Sequence, residues 1–149
     1  MNVWNIKTMS VRLERRIEAP PEQVFDAWLD PACEASPWHG AKPGWLQAEV
    51  DGLFYRKHLS KAGDMELAHY GRFTEVTRPA RLQYTWISQH TRGLESLVTL
   101  DFLPRGPATQ IVLVHENLPD DEKGRMHDGG WQFYLGLLEQ AMAHTAAKA

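Results

Sequence analysis

At 149 residues the chain is long enough to bury a hydrophobic core without disulfide or metal staples. Hydrophobic residues at 43% against charged residues at 23% argue against a disordered chain. Sixteen Lys and Arg against nineteen Asp and Glu leave a net charge of −3, and the densest basic pair, Arg15-Arg16, is bracketed by Glu14 and Glu18. No basic face is left to displace counterions, so a nucleic-acid partner is disfavoured.

From Val11 to Ile17 apolar and charged residues alternate, the period of a half-buried antiparallel strand. Pro20-Pro21 then suits the first turn of a helix, where a missing N–H goes unnoticed. Val24, Phe25, Trp28 and Leu29 recur at helical spacing before Asp30-Pro31 ends the run. A second short helical or irregular piece is expected through Pro37-Trp38-His39-Gly40.

The middle of the chain reads as a meander. A strand from Leu46 to Val50 is expected to turn at Asp51-Gly52, a hairpin signal, into a strand over Leu53 to Leu59. Further strands are expected over Glu66 to Val76, Leu82 to Ser88, Leu97 to Leu103 and Thr109 to Glu116, separated by Gly- and Pro-containing turns. Asp120 is a candidate cap for a terminal helix, and Trp131, Tyr134, Leu135, Leu138 and Met142 give that helix one apolar stripe. Gly129-Gly130 is expected to mark either the true start of the helix or a close approach to the sheet. The order predicts an α+β domain spanning 1–149, with its core over 11–145. Each strand has one apolar face and the helix one apolar stripe; a curved sheet wrapped around the helix covers both.

The single cysteine, Cys33, has no partner for an internal disulfide. Met1 to Ser10 hold no apolar run of signal-peptide length, and no stretch approaches the roughly 18 apolar residues of a membrane span. A cytoplasmic protein without membrane insertion is expected.

Particular stretches carry a resemblance. They run from Arg16-Ile17-Glu18-Ala19-Pro20-Pro21-Glu22 through Gln23-Val24-Phe25-Asp26-Ala27-Trp28, then Trp38 and Asp51-Gly52. Gly71-Arg72-Phe73-Thr74-Glu75-Val76, Arg81 to Trp86 and Val98 to Phe102 continue the series, and Val114 to Pro119 and Gly130-Trp131 complete it. In this order they resemble the START-like (helix-grip) superfamily, and within it the Hsp90-ATPase-activator-like (AHSA1-like) family. Asp51-Gly52 departs from the pair of glycines frequent there. The resemblance implies about seven strands gripping a long C-terminal helix, two short helices between the first two strands, and a cavity between sheet and helix. It implies no single activity.

Seven histidines invite a metal reading, but no pair shows a tight ligand motif. No metal and no cofactor are expected. His115 continues the face of Ile111 and Leu113, so it is either a ligand anchor or general base, or a structural histidine tying the last strand to the helix. Tyr84 and Trp86 read equally as core and as cavity wall. Trp38 reads as a lid or as a plug over the core. His58 and His69 lie on strands that pair if the meander holds, and a slip of one residue reverses their facing. The candidate ligand-binding set is Trp38, His58, Phe73, Tyr84, Trp86, His115, Trp131, Tyr134 and Leu135, with His115 the best candidate for catalysis.

Three functions compete. The first is binding of a small, largely apolar or aromatic molecule. The second is a cofactor-free cyclase or dehydratase that uses His115, His69 or Tyr84 as acid or base. The third is an Hsp90-associated role, disfavoured because the chain is too short to include the activator's additional N-terminal domain. A homodimer is left open.

Overall fold

The computed structural model describes residues 5–59 and 62–148, with the side chains of 146–148 left aside. Strand β1 (Thr8–Ile17) leads into helix α1 (Pro21–Trp28). The meander follows: β2 (Leu53–Leu59), β3 (Glu66–Thr77), β4 (Arg81–Ser88), a 3-10 turn (Gln89–Thr91), β5 (Ser96–Arg105) and β6 (Ala108–Pro119). Helix α2 (Glu122–Lys148) closes the series. The six strands form one antiparallel sheet in the order β1-β6-β5-β4-β3-β2, so every strand from β2 to β6 pairs with its neighbour in sequence and β1 joins the far side of β6.

The period-two pattern sorts the sheet into two faces. Ile17, Phe54, Phe73, Leu82, Tyr84, Val98, Leu100, Ile111 and Leu113 are all buried against the helices. Trp131, Leu135, Leu138 and Met142 place the stripe of α2 on that face, and Val24, Phe25 and Trp28 do the same for α1. The wrap comes from local irregularities. Between Phe73 and Glu75 the β3–β4 register shifts by one, and between Met9 and Val11 the β1–β6 register shifts where Asn117 takes a left-handed φ of 61°. Such bulges bend and twist a sheet.

Two expectations are corrected. No second helix follows α1. Instead Cys33, Ser36 and His39 each donate a backbone bond three residues back, giving a string of turns. Pro31 and Pro37 lack the donors for a continuous helix, and Gly40 turns left-handed at φ 78°. The seventh strand is also missing: of Leu46 to Val50, Leu46 alone bridges to Phe54. The chain does reverse at Asp51-Gly52, where the Gly52 N–H donates to the Glu49 carbonyl and the Gln47 N–H to the Leu53 carbonyl. The Asp51 N–H also donates to the Phe73 carbonyl and the Phe73 N–H to the Gly52 carbonyl, so the pair lengthens the β2–β3 ladder as well.

Helix α2 also starts one residue later than expected. Asp121 caps it through Oδ1, which accepts the Gly124 N–H at 2.8 Å. Asp120 instead sits beside Arg125. Gly129 and Gly130 lie inside the helix, neither at its start nor pressed on the sheet: a Cβ at either would meet nothing within 4 Å.

Candidate functional site: a cavity between the sheet edge and helix α2

Because β2 lies at the sheet's edge and α2 crosses mainly over β1 and β6, helix and sheet diverge toward β2. The gap is a cavity of about 460 Å3. Trp86 of β4 and Trp131 of α2 meet across it with ring centroids 4.9 Å apart. Leu67 of β3, Met65 and Met126 add further apolar wall.

Polar groups interrupt this wall at defined places. Alternation along β2 sends Phe54 and Arg56 inward, and β3 pairs Arg56 directly with His69. Arg56 is 7% exposed. One guanidinium nitrogen donates to the Tyr134 hydroxyl at 2.6 Å, and another lies 3.4 Å from His69 Nδ1. The cation also lies over the rings of Trp86 and Tyr134, at 5.4 and 5.6 Å. His58 stacks on His69 at 5.1 Å between ring centres. His90 and His127 complete a ring of imidazoles around the cavity.

These imidazoles are held neutral. Burial first, and the Arg56 charge next, push His69 down to about 2. The same two causes lower His58, while burial and Lys123 lower His90. Burial lowers His127, partly offset by hydrogen bonds from its Nδ1 to the carbonyls of Lys123 and Gly124.

His115 stands behind this wall. It is 0% exposed, and both ring nitrogens are engaged. The Trp131 indole N–H donates to Nδ1 at 2.9 Å, so the proton sits on Nε2 and is donated to Ser96 Oγ at 2.7 Å. Ser96 passes its own proton to the Trp86 carbonyl. The chain of donors therefore ties β4, β5, β6 and α2 together and sets the angle of Trp131, a wall residue.

A second hollow, of about 270 Å3, lies on the other side of Arg56, His58 and Tyr134, bounded by Trp38, His39, Trp45 and Phe133. Ser36 donates to the Trp28 carbonyl and accepts the Trp38 N–H, which fixes the loop so that Trp38 plugs inward, 1% exposed. Its ring packs among Phe54, Phe73 and Tyr84.

The model of the family described as activator of Hsp90 ATPase homolog 1-like protein matches residues 18–143. The chain belongs to this family. No curated protein matches it. Among solved structures, the AHSA1 protein from Silicibacter pomeroyi is 26% identical, with a TM-score of 0.74 over 92% of this chain and 99% of that one. A protein from Chromobacterium violaceum is 26% identical, with a TM-score of 0.73 over 89% and 96%. The AHSA1-like protein from Aeromonas hydrophila, at 24% identity, shares the fold with a TM-score of 0.68 over 93% and 94%. These AHSA1-like neighbours belong to the START-like superfamily.

Within this AHSA1-like frame the candidate set divides. His58, Trp86, Trp131 and Tyr134 line the larger cavity, and Trp38 lines the smaller one with His58 and Tyr134. Phe73, Tyr84, His115 and Leu135 are 0% exposed and line neither. The residue that sequence reasoning missed is Arg56. Its signal was the alternation Phe54, Arg56, His58 against Tyr55 and Lys57, which an arginine disguises as a solvent face. Among the described residues no group of three or more His, Cys, Asp or Glu is placed to hold a metal ion.

Proposed function

We propose that the protein binds a small, largely apolar or aromatic molecule in the cavity between β2–β4 and α2. The observation that carries this reading is a cavity of about 460 Å3 walled by Trp86, Trp131, Leu67 and two methionines, with a few polar groups among them. Its size and makeup are those of small-molecule sites. Gly130 supports the reading further. A glycine inside a helix costs about 1 kcal/mol relative to alanine, yet Gly130 stands on the cavity wall with open space where a side chain would be.

A cyclase or dehydratase would need an acid or base that reaches the substrate. Neither His115, with both nitrogens engaged, nor the fully buried Tyr84, whose phenol burial pushes far up, touches the cavity. His69 does line it, but burial and the Arg56 charge push it down to about 2, which leaves a weak base. That geometry weighs for binding over turnover.

The test is titration with neutral aromatic and aliphatic alcohols, followed by tryptophan fluorescence and melting temperature, since ligands of the native state raise the latter. Saturable binding is expected. Gly130→Leu should abolish it while stabilising the fold, because the new side chain fills the void. Gly129→Ala should stabilise the helix by a similar amount, about 1 kcal/mol, and leave binding intact. Undiminished binding in Gly130→Leu would place the ligand elsewhere.

A further inference from the structure

Among the described residues Arg56 is the one Lys, Arg, Asp or Glu that is buried, and no described carboxylate lies within ion-pair distance of it. A charge taken out of water without a counter-ion is costly, and proteins keep such groups where a partner arrives. Arginine cannot escape by losing its proton: burial pulls its pKa down, but the group starts so high that it stays charged. Its present neighbours, the Tyr134 hydroxyl and His69 Nδ1, are both neutral.

The other wall groups do not supply the missing charge. His58, His69, His90 and His127 are all held below the ordinary histidine range, so the cavity interior has one cation and no anion near neutral pH. Asp64 and Lys123 lie on the exposed rim, opposite in sign, where water screens them. Trp86, a wall residue, has an indole N–H that is buried and has no hydrogen-bond acceptor.

We infer that the molecule held in this cavity is an acid: an aromatic or aliphatic body carrying one anionic oxygen group, a carboxylate, received by Arg56. The inference rests on the proposed binding cavity and adds the polar end of its ligand. A monoanion matches the single interior cation, whereas a phosphate dianion would leave charge uncompensated in an apolar wall. The guanidinium fork is suited to a carboxylate, and Tyr134 and His69 hold it in place before the ligand arrives.

The experiment compares matched pairs near neutral pH: 2-naphthoate against 2-naphthamide, and decanoate against decanol. Each is titrated into the full chain by calorimetry and tryptophan fluorescence. In the wild type the acid of at least one pair should bind about 10- to 100-fold more tightly than its neutral partner, the range of a charged hydrogen bond. Arg56→Gln should erase that preference, the acid losing far more affinity than its neutral partner, and Arg56→Lys should restore part of it. Equal binding of acid and neutral partner in the wild type would overturn the inference and leave the cavity reading standing. Equal weakening of both partners in Arg56→Gln would also overturn it, making Arg56 a packing residue. If no acid and no neutral compound binds at millimolar concentration, the cavity reading falls and the inference with it.

Discussion

At His115 the hydrogen-bond inventory decides what a single side chain does. An imidazole that accepts from Trp131 and donates to Ser96 has no site left for a substrate proton, so its work is to orient. Removing one partner from a fully buried polar group costs the desolvation of the group left behind. Ser96→Ala strands the buried His115 Nε2–H, and should lower stability by about 1–3 kcal/mol in urea unfolding. Stability unchanged in that variant would mean that the ring is held by other contacts. That His115 points inward was legible from its alternation with Ile111 and Leu113. Its partners were not, because Ser96 and Trp131 lie 19 and 16 residues away in the chain.

Strand β2 shows what an element adds beyond its own pattern. Its seven residues include two basic groups and a histidine, and composition alone does not say which of Arg56 and Lys57 turns inward. The pairing with β3 decides, because Phe54 opposite Gly71 and Arg56 opposite His69 put both on the core face. Gly71 makes this packing possible: a Cβ there would come 2.7 Å from Phe54 Cε2 and 2.1 Å from the Thr85 carbonyl oxygen. Gly71→Ala should therefore force β3 away from β4 or displace the Phe54 ring, at a cost of about 1–3 kcal/mol, measurable by urea unfolding. The same variant should blunt any ligand response, since the Phe54 ring packs 5.7 Å from Trp86. An unaffected variant would show that the sheet absorbs the methyl.

For the whole molecule, buried neutral histidines link folding to pH. His69 is 4% exposed and His115 0%, and burial lowers both well below the value of about 6.5 that they regain on unfolding. Below pH about 6.5 the unfolded chain takes up protons that the folded chain refuses, so stability falls as pH falls. Two such groups give a slope of about 2–3 kcal/mol per pH unit between pH 6 and 5. Arg56, His58, His90 and His127 face His69, and their positive or protonatable groups act in the same direction. The carboxylate of Asp26, held low by Arg78, contributes its own acid loss only as pH approaches the carboxylate range. Urea midpoints at pH 7, 6 and 5 check the slope; His69→Phe should make it shallower. A flat profile would mean that both rings accept protons in the fold.

By itself the sequence determined the element order, the family and most strand boundaries, because each rests on local periodicity, turn chemistry or an ordered set of short motifs. It also placed Trp86, Trp131 and Tyr134 together, since apolar faces in a two-layer fold have one interior to meet in. It could not decide the second helix or the seventh strand. Those depend on whether backbone donors after α1 and before Asp51 find partners, and the partners come from remote segments. Nor could it tell Arg56 from a surface cation. The inward turn of β2, the divergence of α2 from the sheet edge and the burial of one unpaired charge are properties of packing, fixed once distant strands and helix share a volume.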